Sequence, residues 1–155
     1  MTIDHSTLRE YHKERRAGCS ASEALRRART AVRFADLHFR GLVRLHAEPD
    51  CDMYDDSYID TWPRFSKEAV AREKKALWHL IERDGVWAYF GQWRASEDDD
   101  FESAENIGGI IGTDLSDYRY DLMQSAIDAL DAHWAEEAVE LSERATYAAG
   151  GELSL

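Results

Sequence analysis

Between Ser96 and Phe101 the chain carries four consecutive carboxylates, Glu97, Asp98, Asp99 and Asp100, with Glu102 just beyond. Carboxylates are the ligands of calcium and magnesium, but a tight site needs them at spaced positions converging from a shaped loop. Here the three aspartates are adjacent, so in an extended chain they point in alternating directions. The interleaved acids, central glycine and distal glutamate of a calcium loop are missing. The group therefore reads as a solvated turn guarding an exposed hairpin or as part of an acidic binding surface. A second acid-rich stretch, 50-DCDMYDD-56, adds the thiol of Cys51 to Asp50, Asp52, Asp55 and Asp56, with His46 a few residues before it. Zinc favours His and Cys ligands in closely spaced pairs, and a single Cys supplies no such pair. A metal-dependent hydrolase using the 50–56 acids is kept as an alternative; the expectation is no metal.

Other chemistries find less. No Gly-x-Ser-x-Gly elbow and no Gly-x-x-x-x-Gly-Lys-Ser/Thr loop occurs. The glycines of 107-IGGIIG-112 lie on or just after a strand of a hairpin, whereas a dinucleotide turn needs a strand and a helix around it. Gly108 and Gly109 are read instead as a bulge or a close backbone approach. The six histidines are scattered, and among thirty-one acids nothing singles out a general acid–base pair. No catalytic residue and no cofactor is assigned, and the chain is not read as an enzyme.

Charge is distributed unevenly. Residues 1–45 hold ten Lys/Arg against five Asp/Glu, and residues 46–155 hold nine against twenty-six, giving −12 in all. Such a split bears on partners rather than on fold. On a helix, Arg26, Arg29, Arg33 and Arg40 fall within about 60° of one another, a stripe some 20 Å long that could follow a phosphate backbone. Pairing of that stripe with the chain's own acids is the competing reading. At the other pole, Asp121, Asp128, Asp131, Glu136, Glu140 and Glu143 are placed on the side of a long helix away from Met123, Leu130, Trp134 and Leu141. Acids three to five residues apart stand about 5–8 Å apart along the axis, comparable to a row of phosphates.

The elements that position these groups follow from periodicity and punctuation. A first helix is expected from a Thr7 cap with Glu10 reaching back, ending before Gly18. A second opens at 20-SASE-23 and carries an apolar stripe of Leu25, Ala28, Val32, Ala35 and Phe39, stopped by Gly41. The alternation of Val43, Leu45 and Ala47 in 42-LVRLHAE-48 predicts a strand that Pro49 ends. Residues 50–63 read as a loop pinned by Tyr54, Tyr58, Ile59 and Trp62. Ser66 caps a third helix with Ala69, Val70, Leu77, Leu80 and Ile81 buried, closed by Gly85. The segments 86-VWAYFGQWR-94 and 101-FESAENIGGIIG-112 form a hairpin with the acids at its tip. The last helix runs from about Tyr118 to about Ala148, burying Met123, Ala126, Ile127, Leu130, Trp134, Leu141 and Ala145 on one side. The fold class is α+β, four helices with a small antiparallel sheet of about three strands, in one domain over 1–155 with 149–155 as a loose tail.

The chain's 155 residues, 44% of them hydrophobic and five of them Trp, suffice for a core without staples. Two cysteines, a polar and charged opening and no long apolar run point to a protein of the reducing cytoplasm with free thiols and no membrane partner. The stretches 81-IERDGVWAYFGQW-93 and 103-SAENIGGIIGTDLSDYRYDLMQSAIDAL-130 together resemble a pattern in small accessory proteins of phages and plasmids. In it a Gly-x-Trp strand, a strand ending in a glycine-rich turn and a helix opened by Tyr-Asp follow one another. The resemblance implies mobile-element ancestry, with an anti-defence role among its possibilities, and carries over no catalytic residue. The first 45 residues and the acidic tip lie outside it.

These readings converge on an acidic inhibitor that mimics nucleic acid and blocks a host nucleic-acid-handling complex of the anti-CRISPR or anti-restriction type. Its partner is a basic nucleic-acid-binding protein, reached through the 97–102 acids and the acids of the last helix. A nucleic-acid-binding accessory protein using Arg26, Arg29, Arg33 and Arg40 is the alternative, and the apolar edge of the last helix equally suits a homodimer.

Overall fold

The computed structural model describes residues 3–50, 57–61, 66–115 and 118–153. Helices α1 (His5–Arg16) and α2 (Ala21–Phe39) lead into strand β1 (Val43–Pro49). A 3-10 turn (Ser57–Thr61), helix α3 (Lys67–Asp84), strands β2 (Val86–Trp93) and β3 (Glu102–Ile111) and helix α4 (Tyr118–Leu153) follow. The expected α+β class and element order hold. The sheet is antiparallel in the order β1-β2-β3, so the aromatic strand lies in the middle. Among the described residues no helix is long and apolar enough to cross a membrane.

The core forms where α4 lies across the sheet beside α2. Phe34, Leu37, Leu42, Val43, Ala126, Ile127 and Leu130 make one cluster, and Tyr89, Leu115 and Leu122 a second. Along β2 every other residue faces α4, and at the crossing point that residue is Gly91. A Cβ there would stand 2.2 Å from the carbonyl oxygen of Leu122, so only glycine lets the helix backbone lie so close to the strand. The ladder shifts register between Trp87/Tyr89, where Gly108 and Gly109 bulge from β3 and Gly109 takes φ +70. The carboxylate of Asp50 accepts the Gly109 N–H at 2.7 Å and so fixes the bulge.

Several sequence expectations need correction. The cap of α1 is Asp4, whose Oδ1 accepts the Thr7 N–H at 2.8 Å, while Thr7 itself is buried. Ser20 and Ser66 cap α2 and α3 as expected. The buried face of α2 is Ala24, Ala28, Thr30, Phe34 and Leu37, rotated from the stripe expected there, and Phe39 is 91% exposed. The reason is that α2 is packed by α1 on one side and α4 on the other. Small residues permit that approach, and Thr30 is buried because its hydroxyl donates to Gln124 Oε1 at 2.6 Å. Helix α3 buries none of its residues, against an expected stripe of Ala69, Val70, Leu77, Leu80 and Ile81, and meets mainly the 3-10 turn and β3. Of the loop anchors, Ile59 is buried, whereas Tyr54 and Trp62 lie outside the described residues. On α4, Leu141 and Ala145 are exposed rather than buried, and the helix continues past Ala148 to Leu153.

Candidate functional site

The acidic tip is built from below. The peptide N–H of Asp99 donates to Ser96 O at 3.2 Å, closing a turn, and the Ser96 hydroxyl donates to Asp99 Oδ2 at 3.0 Å. Phe101, directly after the acids, lies between two guanidinium groups, with Arg44 at 4.0 Å and Arg94 at 4.3 Å from its ring centre. Both arginines are held in turn. Arg44 Nε donates to Gln92 Oε1 at 2.7 Å, and Arg94 Nε donates to Gly41 O at 2.6 Å. Cations stacked beneath the turn offset the mutual repulsion of the carboxylates above them. Glu97, Asp98, Asp99, Asp100 and Glu102 all remain exposed.

The hairpin tip meets α4 through Trp93 and His133, whose rings lie 5.3 Å apart. Around this contact Arg94, Asp99, Asp100, Glu102 and His133 line a shallow groove of about 340 Å³. Glu136 and Glu140 stand three and seven residues after His133, on its side of the helix. Beyond Trp134 every residue of α4 through position 150 is exposed, so Glu136, Glu140 and Glu143 stand clear of the domain. The groove thus brings Asp99, Asp100 and Glu102 beside His133, and Glu136 and Glu140 follow on that side of the helix.

Asp121, Asp128 and Asp131 do not join it. Around the helix axis they point away from His133 and toward α2. Asp131 accepts a hydrogen bond from Arg33 at 2.8 Å, Asp128 accepts one from Gln124 at 2.8 Å, and Asp121 lies close enough to Arg26 to help hold its charge. The six acids expected as one surface along this helix fall into two settings, the first three beside α2 and the last three clear of the domain.

The same contacts decide the state of the arginine helix. Arg26 is chelated by Glu23, which also accepts from Arg27 Nε at 3.0 Å, and these two guanidiniums hold the Glu23 carboxyl down to about 2. Arg33 is paired with Asp131, and Arg40 lies over the Trp134 ring at 5.7 Å. Arg29 lines, with Arg26 and Arg33, a cleft of about 510 Å³ between α2 and α4. The stripe is real as geometry, and its own acids balance much of its charge.

One polar centre escaped the sequence reading. Glu14 of α1 is buried, accepts the hydroxyl of Tyr120 and lies 3.6 Å from Arg27 Nη1. Arg27 also covers the Tyr120 ring at 5.0 Å, and the thiol of Cys19 donates to Glu14 Oε2 at 3.6 Å. Burial and the neighbouring carboxylate push the Tyr120 hydroxyl up to about 12, and burial raises the Cys19 thiol. The group ties α1, α2 and α4 together through satisfied hydrogen bonds. Its signal was the seven-residue spacing of Thr7 and Glu14, the two buried residues of α1, with Arg27 lying off the arginine strip.

For the metal reading, the 51–56 acids and Cys51 lie outside the described residues. Asp50 spends its carboxylate on Gly109, and His46 Nε2 contacts Glu48 at 3.1 Å. Among the described residues no three His, Cys, Asp or Glu side chains are placed to share an ion. Comparison of the chain with protein-family models, with curated proteins and with solved structures finds no match in any of the three.

Proposed function

We propose that the protein is an acidic inhibitor that occupies the nucleic-acid groove of a basic host protein or complex, of the anti-CRISPR or anti-restriction type. The observation that carries this reading is the joining of the hairpin tip to α4 at the Trp93–His133 contact, just before the helix leaves the domain. Asp98, Asp99, Asp100 and Glu102 then continue into Glu136, Glu140 and Glu143, a chain of hydrated carboxylates on a stiff support. To a Lys/Arg-lined groove such a surface offers the same Coulomb attraction as a phosphate backbone, with the same sensitivity to salt. The balance of Arg26 by Glu23 and of Arg33 by Asp131 weighs against direct binding of nucleic acid by α2. The mobile-element pattern in 81–93 and 103–130 belongs to the same proposal.

The test is affinity capture from host lysate with and without nuclease treatment, followed by mass identification and competition against labelled duplex. The expected result is a basic nucleic-acid-handling protein retained after nuclease treatment and displaced from its duplex by this chain. Competition weakens as salt rises. Lys substitution of Asp98, Asp99 and Asp100, or of Glu136, Glu140 and Glu143, abolishes capture, and the second set, which stands clear of the domain, leaves thermal stability unaltered. Binding of the chain to DNA itself, or capture indifferent to both sets of substitutions, overturns the proposal.

A further inference from the structure

The outer half of α4 is an exposed helix with an apolar seam. Past Trp134 the spacing that buries Ile127 and Leu130 continues through Ala138, Leu141, Ala145 and Ala148, with Leu141 58% exposed. A lone helix of this length is marginal in water, and most of the stability of protein helices comes from packing an apolar face. The whole chain exposes 11030 Å², against about 8,000 Å² expected of a compact monomer of this mass. A stable interface removes about 800 Å² from each partner, so the outer half of α4 accounts for part of this surplus and α3, which buries none of its residues, for another part.

We infer that this seam is covered by the same seam of a second copy, running antiparallel. In heptad terms Trp134, Leu141 and Ala148 take the d positions and Ala138 and Ala145 the a positions, so a bulky residue on one helix faces a small one on the other. The flanks select the occupant. One side of the seam carries only Ala135, Ser142 and Ala149, which allow close approach. The other carries Glu137 and Arg144, and Arg144 is the one basic residue in 135–153. When Ala138 is set against Leu141 of the second copy, Glu137 comes within about 3 Å along the axis of Arg144 of that copy, and the two-fold axis repeats the pair. A parallel arrangement sets Glu137 against Ser142 and uses neither charge. In the antiparallel pair Glu136, Glu140 and Glu143 stay on the outer side, so the dimer leaves the proposed inhibitory surface open and duplicates it. The inference stands or falls on self-association alone, whatever partner the acids serve.

The experiment is light-scattering mass and sedimentation equilibrium on the full chain, with circular dichroism as the control for folding. The wild type is expected at twice the 17.8 kDa chain mass. Leu141→Glu is expected at the mass of one chain, with the cooperative unfolding of the core retained and the helical signal lowered by no more than the outer half of α4 contributes. Glu137→Arg and Arg144→Glu each weaken the dimer about tenfold, and the double exchange restores it. A wild type that stays at the mass of one chain overturns the inference. So does a Leu141→Glu variant that still dimerises, or a double exchange no better than the single ones.

Discussion

The two halves of α4 draw on the same residue types and live in opposite surroundings. From Tyr118 to Trp134 the helix lies on the sheet, with Leu122, Ala126, Ile127 and Leu130 buried, and Asp121 and Asp131 lie beside arginines of α2. From Ala135 onward the apolar spacing persists and the acids continue, but every residue through position 150 is exposed. Where carboxylates meet guanidinium groups at close range, charge holds the fold together. Where they stand alone in water, it remains available to something else. An acid count along a helix cannot separate these two uses; the packing of its neighbour does.

The sharpest way to test the contrast is to truncate one leucine in each half. Leu130→Ala removes a side chain with no exposed surface and is expected to cost about 3 kcal/mol in urea unfolding. Leu141→Ala, measured on the dilute chain, is expected to change stability by less than about 0.5 kcal/mol. Equal losses would mean that the outer half is part of the core. A smaller effect probes the tip, which has support that the outer helix lacks. Phe101→Ala removes the ring between Arg44 and Arg94 and is expected to cost about 1 kcal/mol, with faster amide exchange confined to residues 96–101. Unchanged exchange there would show that the stack does not hold the turn.

The mildest test uses pH to loosen the paired half. Glu23 has its folded value at about 2 against an ordinary 4.5, so its contribution is present above 4.5 and is lost as pH falls through 2. Glu23→Gln is expected to flatten the fall in melting temperature over that acid range. Tyr120 works in the opposite direction. Its hydroxyl is raised from 10 to about 12, so the contribution is complete below 10 and is lost as pH climbs toward 12. Tyr120→Phe is expected to remove that alkaline decline. Curves that superimpose on the wild type would disconnect either group from stability.

Much of the fold was legible because its signals are local. Ser20 and Ser66 cap helices by hydrogen bonds three residues long, and the β2–β3 hairpin announces itself through β-branched and aromatic residues on either side of the acids. What failed were faces. The buried side of α2 was misjudged because two neighbours compress it and because a threonine with a partner on α4 can be buried. The stripe of α3 was assigned to a core that does not reach it. For the site, the exposure of Glu97–Asp100 followed from their density, but the approach of the tip to α4 depends on Trp93 meeting His133 across forty residues of chain. The Glu14–Arg27–Tyr120 centre likewise draws one residue from each of three helices, a juxtaposition that no spacing rule contains.

Gly91 gives the outer carboxylates a hidden dependence. Because the strand offers no side chain beneath Leu122, α4 rests backbone to backbone at that point, about 18 Å before Trp134. A stiff rod seated so firmly at one end behaves as a see-saw: a methyl group added under Leu122 lifts the inner arm and dips the outer one. The pitch at which Glu136, Glu140 and Glu143 are offered is thus set by a residue that nothing docking on them would ever touch.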